Sequence, residues 1–153
     1  MLGTDTATIV RRLTDEGWNQ GKLAICDELL ASSFVGHNAG MPDLRGIAAN
    51  KQFIVAYRTA FPDLHMTVEE LVTEGDRCVA RLTATGTQTG PLAVVPGMPS
   101  IPPTGKRATV QVMVVHHLAD GKVVELWSVS DTMDLMRQLG MLPVPATPAG
   151  IQA

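Results

Sequence analysis

Val110-Gln111-Val112-Met113-Val114-Val115-His116-His117-Leu118-Ala119-Asp120-Gly121-Lys122-Val123-Val124-Glu125-Leu126-Trp127-Ser128-Val129-Ser130-Asp131 is the stretch that decides the fold class. Two runs rich in β-branched residues flank an Asp-Gly turn signal, which predicts a long antiparallel hairpin. The same period of two recurs upstream over residues 66–73 and 78–87, separated by Glu74-Gly75-Asp76. Before Leu64 the period is helical. Residues 7–19 place Ile9, Val10, Leu13 and Trp18 near helical spacing, and Gly21 ends the pattern. Residues 23–30 predict a second short helix. A third, over 47–60, is stopped by Phe61-Pro62 because proline has no N–H to continue the ladder. Phe34-Val35 reads as a short strand running into Gly36-His37-Asn38, and 39–44 as a turn-rich connection. Helices followed by a meander of strands predict an α+β fold, with the helices packed on one face of a curved sheet.

The 153 residues suffice for one domain with a core, expected over 1–142, followed by a Pro/Ala-rich tail at 143–153. Hydrophobic residues make up 45% but aromatics only 4%, so aliphatic side chains and the 8 Met must fill the interior. A formal charge of −3 and no run of Lys or Arg argue against nucleic acid or an anionic membrane as partner. Cys26 and Cys78 stand alone, without metal-ligand or redox spacing. The first five residues lack the basic-then-apolar pattern of a leader and no apolar run has membrane-spanning length, so a cytoplasmic location is expected. Gly86-Thr87-Gln88-Thr89-Gly90 lacks the Lys-Ser/Thr ending of a phosphate loop, and no HExxH or GxSxG motif occurs. The expectation is a chain without cofactor or metal.

Two features at the hairpin bear on chemistry. Asp131 ends an otherwise apolar strand, where it reads either as the N-cap of the helix over 131–140 or as a desolvated carboxylate with a raised pKa suited to moving protons. His116 and His117 must point to opposite faces of their strand. With a three-residue loop Ala119-Asp120-Gly121, Leu118 pairs with Lys122, and His117, Val115 and Met113 share the face of Trp127 and Asp131. A two-residue Asp-Gly turn puts His116 there instead.

Eight fragments, in order, resemble the SnoaL-like polyketide and ester cyclases: Trp18-Asn19-Gln20-Gly21, Phe34-Val35-Gly36-His37-Asn38, Ala60-Phe61-Pro62-Asp63-Leu64, Glu74-Gly75-Asp76-Arg77, Gly86-Thr87-Gln88-Thr89-Gly90, Pro103-Thr104-Gly105-Lys106, Asp120-Gly121-Lys122-Val123-Val124-Glu125-Leu126-Trp127 and Gln138-Leu139-Gly140. The resemblance spans roughly residues 13–140. It implies the cone-shaped α+β fold of the nuclear transport factor 2-like superfamily, a curved antiparallel sheet wrapped around N-terminal helices and enclosing a cavity. Cyclases of this family close a ring by intramolecular aldol condensation, with an aspartate as general acid/base and without cofactor. Asp131 matches that aspartate, and His117 matches the family's site histidine, which selects His117 over His116.

The resemblance further implies a small apolar, oxygen-bearing substrate and a homodimer or higher homo-oligomer. Trp18, His37, Arg81, Met113, Val115 and Trp127 complete the expected substrate-binding set, with Val115 standing where some members carry a donor glutamine. Arg58 reads as a surface ion-pair partner. Residues 91–103 form an insertion whose Leu92, Val94, Val95 and Met98 are expected to close over the cavity mouth as a lid. Two rival readings stay open: another acid/base reaction in the same cone, epoxide hydrolysis or ketone isomerisation, and a noncatalytic small-molecule-binding module.

Overall fold

The computed structural model describes residues 5–143 except 94 and 96. Helix α1 (Thr6–Arg12) starts at Asp5, whose carboxylate accepts from the Thr8 amide at 2.8 Å. It passes without a break into a π-helix, Leu13–Asn19, so the single helix expected over 7–19 takes two forms. Arg12 bridges Glu16 of the π-helix and Glu28 of α2 (Ala24–Leu29) at 2.9 and 2.8 Å. Strand β1 (Leu30–Asn38) is much longer than the Phe34-Val35 core read from sequence, and the two-residue β2 (Leu44–Arg45) pairs with it at the end of the stretch expected to be a turn. Helix α3 (Ile47–Ala60) stops ahead of Pro62. Strands β3 (His65–Glu74), β4 (Arg77–Thr87), β5 (Arg107–Ala119) and β6 (Lys122–Ser130) follow, and α4 (Thr132–Gln138) closes the described chain.

The six strands form one curved, open sheet in the order β2-β1-β6-β5-β4-β3. Strands β3 to β6 are the antiparallel meander that the period of two implies, whereas β1 crosses back to pair parallel with β6. The architecture is the α+β fold expected, with the N-terminal helices against the concave face. Burial alternates cleanly along β5: Ala108, Val110, Val114, His116 and Leu118 are buried, while Thr109, Gln111 and Met113 are exposed. Ile9, Ile25, Leu29, Phe34 and Ile54 pack with Leu118 and Val123 at one end of the concave face. Phe61, Leu64, Leu92, Leu135 and Leu139 pack with Ala108 and Val110 at the other. Cys26 and Cys78 are buried free thiols. Among the described residues, no helix is long and apolar enough to cross a membrane.

The β5–β6 hairpin uses the two-residue turn. Ala119 pairs with Lys122, and Asp120 (φ 52°) and Gly121 (φ 74°) both take the left-handed values that such a turn requires. A bulge follows at once, for Leu118 faces Val123 but His117 faces Glu125, leaving Val124 unopposed. The extra residue restores the parity of a three-residue loop. His117, Val115 and Met113 do share a face with Trp127, but that face is the outer one.

None of the described residues of the 91–103 segment lines the cavity, so the expected lid is not formed by them. Leu92 is buried in the core and forms an antiparallel bridge with Ile101. The buried Gln88 amide donates to the Ile101 and Pro102 carbonyls, both at 3.2 Å, and accepts from the Thr104 hydroxyl at 2.8 Å, fastening the base of the loop to the sheet. Met98 is exposed, and Val94 lies outside the described residues, as does the expected tail beyond Pro143.

Candidate functional site

Helix α3 presents Asn50, Phe53, Ile54 and Tyr57 along one stripe, at the i, i+3, i+4, i+7 spacing that makes one face of a helix. That stripe forms one wall of a cavity of about 150 Å³. The π-helix adds Leu13, Thr14 and Trp18, and α4 contributes Leu135. The sheet supplies the opposite wall through the inward residues of β4, β5 and β6, among them Leu82, Val112, Val114, His116, Leu126, Ser128 and Ser130. Asn38, the exposed Ala39 and the half-buried Met41 lead outward. Trp18 meets Phe53 edge-on at 5.9 Å between ring centroids and Tyr57 at 6.1 Å, which gives the helical wall an aromatic surface.

Among the described residues, no Asp, Glu, Lys or Arg lines this cavity. His116 is therefore the one basic group in it. Its Nδ1 lies 3.2 Å from the Cys78 carbonyl oxygen, and because a carbonyl can only accept, Nδ1 carries the proton. Nε2 is left as the lone-pair nitrogen. Burial pushes the His116 pKa down to about 4, against a smaller opposing pull from the Cys78 carbonyl, so the imidazole is neutral at physiological pH. Burial raises the Tyr57 pKa, keeping its hydroxyl a protonated donor. Asn38, Thr85, Ser128 and Ser130 are further half-buried polar groups of the lining.

Of the residues expected at the site, Trp18 lines the cavity; the others lie elsewhere. His117 is on the outer face, its Nε2 3.1 Å from the Asp76 carboxylate. Met113, Val115 and Trp127 share that face by strand alternation, with Met113 and Trp127 exposed. Arg81, also odd-numbered on its strand, pairs with Glu70 at 3.1 Å. His37 packs against Trp127 at 5.5 Å, with Nδ1 2.9 Å from Asp43 and Nε2 2.6 Å from Glu125. Hydrogen bonds from its ring to Glu125 first and Asp43 second raise its pKa. Asp131 is exposed and caps α4, its Oδ1 accepting from the Asp134 amide at 3.0 Å. The expectation of an Asp131–His117 pair facing the cavity is thus corrected by geometry. Tyr57, Ser128 and Ser130 were not singled out from sequence. Their signal was weak: a tyrosine inside a helix stripe and two serines alternating with larger apolar neighbours.

Comparison with known proteins agrees with the fold. A SnoaL-like protein from Jannaschia sp. CCS1 is 29% identical and superposes with a TM-score of 0.80, over 93% of this chain and 96% of its own. TsrD from Streptomyces laurentii is 30% identical, with a TM-score of 0.77 over 91% of this chain and 99% of its own. A protein of ketosteroid isomerase-like fold from Catenulispora acidiphila DSM 44928, only 15% identical, still superposes with a TM-score of 0.71 over 94% of this chain and 100% of its own, a likeness of fold alone. No curated protein matches the chain. The profile of the SnoaL-like polyketide cyclases matches residues 8–139, nearly all of the ordered sheet and helices described above, and the chain belongs to that family.

Proposed function

We propose that the chain is a cyclase that closes a ring in an apolar, oxygen-bearing polyketide-like substrate by an aldol-type step, with His116 as the proton acceptor and Tyr57 as donor to the developing enolate oxygen. The observation that carries this reading is the neutral His116 imidazole, fixed through Nδ1 to the Cys78 carbonyl, in a cavity lined by no other basic group among the described residues. In outline, Nε2 takes a proton from a carbon next to a carbonyl, the Tyr57 hydroxyl steadies the oxyanion, and the carbanion attacks a second carbonyl of the same chain. The new C–C bond leaves an alkoxide that recovers the proton from the imidazolium. A conjugate acid with a pKa of about 4 returns its proton readily but makes a weak base. The carbon acid must therefore be an activated one, between two carbonyl groups, as polyketides carry. The apolar aromatic wall excludes water and folds the chain so that the reacting carbons meet.

One observation favours a second reading, a binding module without turnover: no carboxylate lines the cavity among the described residues. Assay of the protein on methyl esters of linear 1,3-dicarbonyl polyketides separates the two. His116→Asn should lower the cyclisation rate by roughly two to four orders of magnitude, the usual contribution of a general base, while His117→Asn leaves it unchanged. Wild-type-like rates in His116→Asn overturn this mechanism, and tight binding without turnover in the unmodified protein supports the module.

A further inference from the structure

The π-helix that carries Trp18 into the cavity ends in an unusual way. Helix termini leave carbonyls without an intrahelical donor, and at this one the Trp18 and Asn19 carbonyls are both taken by a single side chain. Arg58 Nη1 donates to Trp18 O at 2.7 Å and to Asn19 O at 3.0 Å. Arg58 is not the surface ion-pair partner expected from sequence: among the described residues it has no carboxylate within salt-bridge distance. It stands on α3 one residue after Tyr57, so the guanidinium ties the backbone of one aromatic wall residue to the helix that bears the other two, Phe53 and Tyr57.

Two neighbours fit this arrangement. Gly21 takes a left-handed φ of 69°, and a Cβ there would come within 2.8 Å of Arg58 Nε, so the glycine leaves the guanidinium room to reach the carbonyls. The Asn19 side chain donates to Met66 O at 2.9 Å and accepts from Met66 N at 2.7 Å, pinning the same helix end to β3, where Met66 also lines the cavity. A π-helix holds one more residue per hydrogen-bonded turn than an α-helix, so relaxing it to α geometry would rotate Trp18 away from its present direction.

We infer that Arg58 is a positioning residue: by holding the end of the π-helix it sets the aromatic wall, and with it the width of the folded substrate or ring product the cavity takes. This rests on the cavity being the substrate site of the proposed function. The test uses the full chain carrying Trp127→Phe, so that Trp18 is its one tryptophan, and 1,8-dihydroxyanthraquinone as a neutral polycyclic probe. Arg58→Met, which keeps much of the side-chain length without donors, should shift Trp18 emission to the red, at least double its quenching by acrylamide, and weaken anthraquinone binding by about tenfold or more. Arg58→Lys, which retains one cationic donor, should recover most of the emission and affinity. If Arg58→Met fails to fold, Gly21→Ala displaces the guanidinium from the other side and should give the same changes. A fall in Tm with Trp18 emission and anthraquinone affinity unchanged makes Arg58 a plain helix cap and overturns the inference. Absence of anthraquinone binding by the parent protein instead sinks the substrate class assigned above, and Trp18 emission alone then decides the role of Arg58.

Discussion

Asp131 shows how one residue type serves two purposes that sequence cannot separate. An acid at the end of an apolar strand suits a desolvated base and suits a helix cap, and here its Oδ1 accepts from the Asp134 amide while the side chain stays exposed. Asparagine caps about as well as aspartate but accepts no proton at neutral pH. Asp131→Asn should therefore leave both Tm and cyclisation rate near those of the unmodified protein, and Asp131→Ala should cost about 1 kcal/mol of stability in urea unfolding. A rate loss of about a hundredfold or more in a stable Asp131→Asn protein would return the carboxylate to the chemistry. The choice between His116 and His117 was legible in part. The even-numbered residues from Ala108 to Leu118 are apolar apart from His116, while the odd ones include Thr109 and Gln111, which already marks the even face as inward. On β6 the signal is inverted, since Trp127 and Val129 point outward and Ser128 and Ser130 inward. Two conflicting faces left the assignment to resemblance, and the functional site is where an apolar face is expected to carry polar groups.

At the scale of elements, what the sequence shows best is local. The period of two over β3, β4 and β5 and the helical period of α3 follow from side chains meeting water or core at fixed intervals, so they can be read without the tertiary fold. The long β1 and its parallel pairing with β6 depend on partners distant in sequence and were not legible, and the bulge at Val124, though local to the hairpin, has no residue signature of its own. The same holds for the 91–103 segment, whose length and apolar residues suggest a lid, whereas the structure shows a loop fastened at its base. Here Thr89 N and Gly90 N both donate to the Ala60 carbonyl at 3.1 Å, seating the connection on the end of α3. A Cβ on Gly90 would lie 2.1 Å from the Thr59 carbonyl oxygen, which is backbone and has no rotamer by which to retreat. Gly90→Ala should thus destabilise by roughly 2–4 kcal/mol, read as a lower urea midpoint at unchanged slope, as expected for overpacking against a fixed neighbour. A cost below about 0.5 kcal/mol would show that the loop is free to shift.

Across the whole molecule, shifted groups inside and outside the cavity set how stability depends on pH, and among the described residues His116 is the one lining it that titrates below neutral pH. A histidine in an unfolded chain titrates near 6.5, whereas His116 in the folded chain takes a proton only near pH 4 because charging it there means burying a cation. Between these values the unfolded state binds the proton and the folded state does not, so stability due to His116 is constant above about pH 6.5 and falls as pH drops towards 4. The sign is opposite for His37, whose pKa is raised by Glu125 and Asp43. Its contribution is fully present below the unfolded value and is lost as pH rises through the folded one. Glu28 and Asp63, lowered by the Arg12 side chain and by the Thr87 amide respectively, add stability above their unfolded values that is lost in stronger acid. These other groups are common to the parent and to a His116→Gln variant, so they cancel in the comparison between them. Urea unfolding at pH 7 and at pH 4.5 should then show the parent losing roughly 2–3 kcal/mol more than His116→Gln between the two conditions, the linkage expected from the lowered His116 pKa. Equal losses in the two proteins would mean that water reaches the imidazole and solvates its charge. His116 would then titrate near its ordinary value, and the dry, neutral proton acceptor on which the cyclase reading depends would be gone.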